Sequence, residues 1–261
     1  MDDRRALERL RLSVATCNQV VFPHPENGAT MLALERKATV LKNGSVSVLA
    51  QPFGGGVRII DSHSLEDILG KIEFDSEHSE RDQDFRILIQ PFQWEAVKKY
   101  CLLHLDNPND PEIESAPERE LVEEFAETMG VELKRIQYTV EPMGFVIEDN
   151  PVRTENWYAR GFPTMRVYRI YKVEIADGIL CQNLVDTSQQ VSDDALGERA
   201  LGNGTGRANT VLTLPLDRVR KAFLAIPPEK RFNKIEVDHH KLDESVLVVL
   251  EDIEVSQYLR L

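Results

Sequence analysis

The segment Ser115–Gly130 constrains the fold most. Ser115-Ala116-Pro117-Glu118 has the form of a capping box, with Ser115 at the N-cap, Glu118 three residues on and a proline tolerated in the first turn. Leu121, Val122, Phe125 and Met129 recur at helical spacing, and Gly130 is the residue type that closes helices in a left-handed conformation. The pattern predicts an amphipathic helix whose apolar stripe must be buried against a second layer.

Strands supply that layer. Residues 30–48 carry apolar runs broken at Lys42-Asn43-Gly44, and Asn-Gly between such runs predicts a hairpin. The hairpin leads into Pro52-Phe53-Gly54-Gly55-Gly56-Val57, where three glycines allow a bend or a close approach that a Cβ would forbid. Further strands are expected at Ile136–Val140, Gly144–Glu148, Thr164–Ile175, Thr210–Leu214 and Val246–Leu250. Helices are expected at Pro215–Ala225 and, from Leu7, Leu10 and Val14, over residues 3–14, the latter opening an N-terminal helix-and-linker segment, 1–27. Residues 61–114, with a strand at Phe85–Ile89 and a helix at Gln93–Leu105, read as an inserted α/β subregion, and the polar stretch 182–207 reads as a long mobile loop. The expectation is an α+β chain on a mixed sheet, one domain over all 261 residues.

With 31 basic against 44 acidic residues and a formal charge of -13, the surface repels polynucleotide backbones, so long nucleic acid is not expected as a partner. A small phosphorylated ligand is compatible, because a divalent metal on clustered carboxylates reverses the local sign. Cys17, Cys101 and Cys181 have no metal-ligand spacing and fit reduced thiols. No apolar run is long enough for a membrane helix, and Met1-Asp2-Asp3-Arg4-Arg5 leads into no signal-peptide core. A cytoplasmic protein is expected, with a homodimer left open.

The chemistry-bearing residues lie on the capped helix. Glu120, Glu123 and Glu124 stand at i, i+3 and i+4, so their carboxylates project from one side, where like charges repel by roughly 0.2–0.5 kcal/mol per pair on an isolated helix. A hard cation such as Mg²⁺ accepts such oxygens and shares them with phosphates. The alternative is a solvated helix face, acidic near its N-terminus because of the macrodipole.

Arg119-Glu120-Leu121-Val122-Glu123-Glu124-Phe125 resembles the second half of the Nudix box, and Pro52-Phe53-Gly54-Gly55-Gly56-Val57 is similar to the glycine turn at which that box begins. Leu212-Thr213-Leu214-Pro215-Leu216-Asp217-Arg218-Val219 is similar to the late strand-to-helix junction of the same family. The resemblance implies a Nudix-like α/β/α sandwich and hydrolysis of a diphosphate linkage in a nucleoside diphosphate derivative. It implies Mg²⁺ or Mn²⁺ on Glu120, Glu123 and Glu124, and catalytic roles for Glu123, Glu124 and the orienting Arg119. The substrate-binding candidates are Gly54, Gly55, Gly56, Arg58 and Arg166. This chain departs from the family pattern in two places: 62 residues, 57–118, separate Gly56 from Arg119, and Ala126-Glu127 replace the closing glycine and aliphatic residue. Glu112, Glu114 and Glu118 are the candidates for the box's first glutamate, and Glu148, Asp149, Glu174 and Asp177 for a further ligand. The other reading is a catalytically silent scaffold of this type that binds a nucleotide or a protein partner through 61–114.

Weaker features have bland alternatives. Gly202-Asn203-Gly204-Thr205-Gly206-Arg207 reads as a flexible loop rather than a phosphate cradle, lacking a P-loop ending. Trp157-Tyr158-Ala159-Arg160-Gly161-Phe162 is either a base-holding aromatic run or a packed loop. His239-His240 reads as solvent-exposed, and prolines defeat a calcium loop at residues 106–110.

Overall fold

The computed structural model describes residues 9–41, 43–153, 161–251, 253–255 and 258–261. Its organising element is a long strand, β1 (Leu10–Pro23). Side chains alternate between the faces of a strand. Leu12, Val14, Val20 and Phe22 are buried on one face of β1, and Cys17 and Val21 are buried on the other. Leu10 and Val14 were expected on a helix; they lie on this strand instead. Burial on both faces removes the polar alternation that marks a strand and leaves an accidental three-to-four spacing. The rest of the expected N-terminal helix lies outside the described residues.

After β1 the chain runs through β2 (Thr30–Val40), β3 (Val46–Gln51), β4 (Phe53–Gly56), β5 (Arg58–Ile59), α1 (His63–Leu69), α2 (Glu77–Asp82), β6 (Arg86–Ile89), α3 (Trp94–Leu105) and β7 (Ile113–Glu114). It continues through α4 (Pro117–Met129), β8 (Tyr138–Arg153), β9 (Pro163–Ile175), α5 (Gly178–Gln190), α6 (Asp193–Ala200), β10 (Asn209–Pro215) and α7 (Leu216–Leu224). The described chain closes with β11 (Ile235–Val237), β12 (His240–Leu242) and β13 (Leu259–Arg260). The class is mixed α+β: a curled mixed sheet runs β11-β12-β3-β2-β1-β9-β8-β13, with β10 on β2 and both β4 and β6 on β1. β1 and β9 pair in parallel, Val14 opposite Val167 and Asn18 opposite Tyr171, whereas β4 pairs antiparallel with β1, Gly55 opposite Thr16.

The expected hairpin is present between β2 and β3, with Val40 opposite Val46 and Gly44 at φ 78 in the turn. Leu121 and Phe125 of α4 and Leu184 of α5 pack with Val20, Phe22 and Val173 on one face, and α3 packs farther along that face with Leu12 and Val14. α7 covers the opposite face through Val219 and Phe223, against Val21, Leu32 and Leu212.

Three expectations are corrected. The stretch 182–207 holds the end of α5 and all of α6, which Asp177 and Ser192 open by accepting from Leu180 N and Ala195 N. The apolar run at Val246–Leu250 forms a buried 3₁₀ helix, Glu244–Val249, because a short continuous apolar run does not by itself distinguish strand from helix. The strands expected at 136–140 and 144–148 are one strand, β8, whose pairing shifts between Pro142 and Gly144. No helix among the described residues is long and apolar enough to cross a membrane.

Candidate functional site

The site is built where α4 lies over β4. Phe53 and Phe125 stack at 4.9 Å between centroids, which fixes the helix above the strand. Gly130 closes α4 at φ 65, its N–H donating to the Ala126 carbonyl at 3.1 Å. The expected capping box is absent: Ala116 is the N-cap without a side-chain bond, and the buried Ser115 Oγ has no partner among the described residues.

The glycines are required by the closeness of this packing. A Cβ on Gly54 would overlap the Thr16 carbonyl of β1, and one on Gly55 would overlap the Glu120 carboxylate. The Gly54 N–H donates to Glu124 Oε2 at 2.6 Å. Glu120 and Glu124 are thus turned onto the triple-glycine strand rather than to bulk water. Glu123 is different, its side chain 60% exposed and held at the edge by Arg119 at 3.3 Å.

Arg119 organises the other acids. It pairs with Glu120 and with Glu114 at 3.2 Å, and its Nη2 donates to the Gly56 carbonyl at 3.4 Å. Arg58, on β5, reaches Glu114 at 3.6 Å and so belongs to the rim.

Electrostatics separate Glu120 and Glu124 from ordinary surface acids. Burial pushes the Glu124 carboxyl well above the usual carboxylate range; the Glu35 and Glu120 charges add to this, while the Gly54 N–H and Lys37 oppose it. Glu120 is raised too, by burial first and by Glu123 and Asp84, against the pull of Arg119. Glu35, a buried residue of β2, was missed in the sequence. Its oxygens accept from Gln51 Nε2 at 2.9 Å and Asn209 Nδ2 at 3.2 Å, so two carboxamides fix it beside Glu124. No sequence signal marks Glu35, because its partners come from two other strands.

The remaining predicted residues are not at this site. Arg166 and Glu148 pair at 2.6 Å on the opposite face of the sheet, so Arg166 cannot bind a ligand held by α4. Asp149 accepts from Trp94 and Lys98, Glu174 pairs with Lys172, and Asp177 caps α5. Glu112 accepts from Ser64 and Tyr100 within the inserted subregion. Trp157–Arg160 lie outside the described residues. His239 is fully exposed. A cleft of about 410 Å³ lies between β3, α6 and the β11–β12 turn, and none of the predicted site residues lines it.

The donor chemistry at Glu120 and Glu124 is that of desolvated carboxylates with like charges around them, Glu120 paired with Arg119 and Glu124 opposed by the Gly54 N–H and Lys37, and carboxylate oxygens are the donors a hard cation takes. No three His, Cys, Asp or Glu side chains among the described residues converge closely enough to hold a metal ion as they stand. No family model, no curated protein and no solved structure matches the chain.

Proposed function

We propose that this chain is a metal-dependent hydrolase of a diphosphate linkage in a nucleoside diphosphate derivative, on a Nudix-like α/β/α sandwich with residues 61–114 inserted. One observation carries the reading. The two motif halves that 62 residues separate in sequence meet in space, Glu124 on the Gly54 N–H and Glu120 against Gly55.

In this reading Glu120 and Glu124 would hold Mg²⁺ or Mn²⁺ with Glu123 at the edge, and the ion would supply charge neutralisation for phosphate and activation of water. The glycine strand lets α4 and its carboxylates pack directly onto the backbone, Glu120 against Gly55 and Glu124 on the Gly54 N–H. Arg119 fixes the Glu120 carboxylate, and Glu124 would take the proton that the attacking water loses.

The second reading is a silent scaffold that binds a nucleotide or a protein. It is favoured by Arg119 already pairing with Glu114, Glu120 and Glu123, and by the lack of a converged ligand set among the described residues. Melting in Mg²⁺ and Mn²⁺, with and without nucleotide, separates the two, since an ion bound by the folded state raises Tm. A panel of nucleotide sugars, dinucleoside polyphosphates and dinucleotide cofactors then tests turnover. The hydrolase reading expects metal-dependent release of a phosphate-bearing product, reduced by about 10²–10⁴ in Glu124→Gln. Unchanged turnover in that variant refutes it, and unchanged melting with every ion favours the scaffold.

A further inference from the structure

The first half of β3 is an open sheet edge. β12 pairs with β3 at one position, Leu242 opposite Ala50, where the Asp243 N–H donates to the Ala50 carbonyl at 2.8 Å. The turn at Asp238 and His239, both at positive φ, sends the chain back into β11 before β12 can pair with Val48 or Val46. The backbone groups of alternate residues point to the same side of a strand. Val46 and Val48 therefore direct their N–H and C=O groups to the edge that Ala50 offers to β12, while Ser47 and Leu49 serve the pairing with β2, opposite Thr39 and Lys37. Among the described residues no strand covers Val46 and Val48 on that side.

This edge opens into the cleft of about 410 Å³ between β3, α6 and the β11–β12 turn. Val46 and Val48 line it, and α6 packs onto the strand at Gly197, where a Cβ would stand 3.7 Å from Val46 Cγ1. Leu201, 45% exposed at the end of α6, extends the apolar lining. The same helix turns Asp193, Asp194 and Glu198 to the cleft. Asp193 is already engaged, pairing with the buried Arg36 at 3.2 Å. Asp194 and Glu198, one helical turn apart, have no ion pair among the described residues, so their like charges repel uncompensated. Lys241 and His239 line the β11–β12 side, His239 standing 3.8 Å from Glu236.

We propose that this edge is a docking site for an extended basic segment of a partner protein, which adds a strand to β3. The open groups of Val46 and Val48 supply backbone hydrogen bonds, the source of affinity in strand addition. Every second side chain of the added strand points to the α6 side. Lysine or arginine there lays its stem along Val46, Val48 and Leu201 and carries its head to Asp194 and Glu198. The spacings match: alternate strand residues stand about 6.7 Å apart and residues four apart on a helix rise about 6 Å. The formal charge of -13 favours the approach of a basic partner. A second copy fits less well, because joining two β3 edges about a two-fold axis brings the acids of two α6 helices together. Ala50, on the Val46 face, packs in the cluster under α7, so this cleft lies on the side of the sheet away from α4 and stands apart from the hydrolase reading.

The test is amide hydrogen exchange of the full chain, read residue by residue by NMR, alone and with the acetylated, amidated peptide Lys-Val-Lys-Val-Lys-Val. The Val46 and Val48 amides exchange freely in the protein alone and slow by at least about tenfold when the peptide is bound. Two further peptides are N-methylated on the lysines or on the valines; the one blocked on its bonding edge binds at least about tenfold more weakly with every charge kept. Asp194→Lys with Glu198→Lys weakens the unmethylated peptide by at least about tenfold, and Glu-Val-Glu-Val-Glu-Val does not bind. Amides already protected in dilute protein would show the edge to be covered, and protection that grows with protein concentration would give it to a second copy. Binding that both N-methylations leave unchanged, or that spermine reproduces at the same two amides, would reduce the site to charge attraction. Each of these outcomes overturns the proposal, as does a peptide that leaves both amides unprotected.

Discussion

Two carboxylates on opposite faces of one sheet have met burial in different ways. Glu148 is 1% exposed and bound to Arg166 at 2.6 Å; burial pushes its pKa up and the guanidinium pulls it back. Glu124 is partly buried, receives one backbone N–H, and stands beside Glu35 and Glu120 with Lys37 as a weaker counterweight. The first site is neutral within itself. The second sets clustered acids against a tightly packed glycine strand, and the proposed ion is what would complete it.

The largest break in the comparison is expected at the neutral pair. Glu148→Gln takes from the buried Arg166 its hydrogen-bonded partner and leaves Glu244 as the remaining acid near it, and removal of one partner from such a pair costs about 3–5 kcal/mol. Chemical denaturation should show a loss of that size, and a change below about 1 kcal/mol would mean that solvent reaches the pair and the contrast is false.

Glu124→Gln should act the other way. The amide keeps an acceptor for the Gly54 N–H and removes a desolvated charge, so the metal-free variant should be more stable at pH 7. The sign of the pH dependence follows from linkage. A carboxyl whose folded pKa lies above its unfolded value contributes stability that is full below the unfolded value, roughly 4.3, and is lost as pH rises through the folded one. The Tm advantage of Glu124→Gln should therefore be small at pH 4 and widen toward pH 8. A constant gap would mean that Glu124 is not the group that titrates.

The contrast was only half legible in the sequence. α4 was readable because Leu121 and Phe125 make a stripe and Gly130 a stop, and the hairpin because Asn43-Gly44 permits one tight turn. Glu120 and Glu124 could be named from their spacing, but Glu35 could not, since Asn209, 174 residues on, is brought to it only by the pairing of β10 with β2. β1 was misread because it is buried on both faces, so Leu10 and Val14 kept a helix-like spacing with no polar alternation to contradict it. In α5 and α6 the signal was present in the capping Asp177 and Ser192 and in Leu180, Cys181, Leu184 and Val185 at helical spacing, hidden by the polar residues around them.

The glycine strand offers the finest cut. Gly54→Ala drives a methyl into the Thr16 carbonyl, a backbone atom that cannot move without parting β4 from β1, so it should destabilise by about 1–3 kcal/mol. Gly55→Ala meets only the end of the Glu120 side chain, which can turn aside. Its stability should change by no more than about 0.5 kcal/mol. What it displaces is the carboxylate that the proposed ion needs, so the rise in Tm produced by Mg²⁺ or Mn²⁺ should shrink or vanish while the metal-free melting curve stays in place. A variant that keeps its full response to the ion would show that Glu120 is a rim acid paired with Arg119, leaving the ion to Glu124 and Glu35. A variant that loses the response without losing stability would tie the ion to the glycine strand itself.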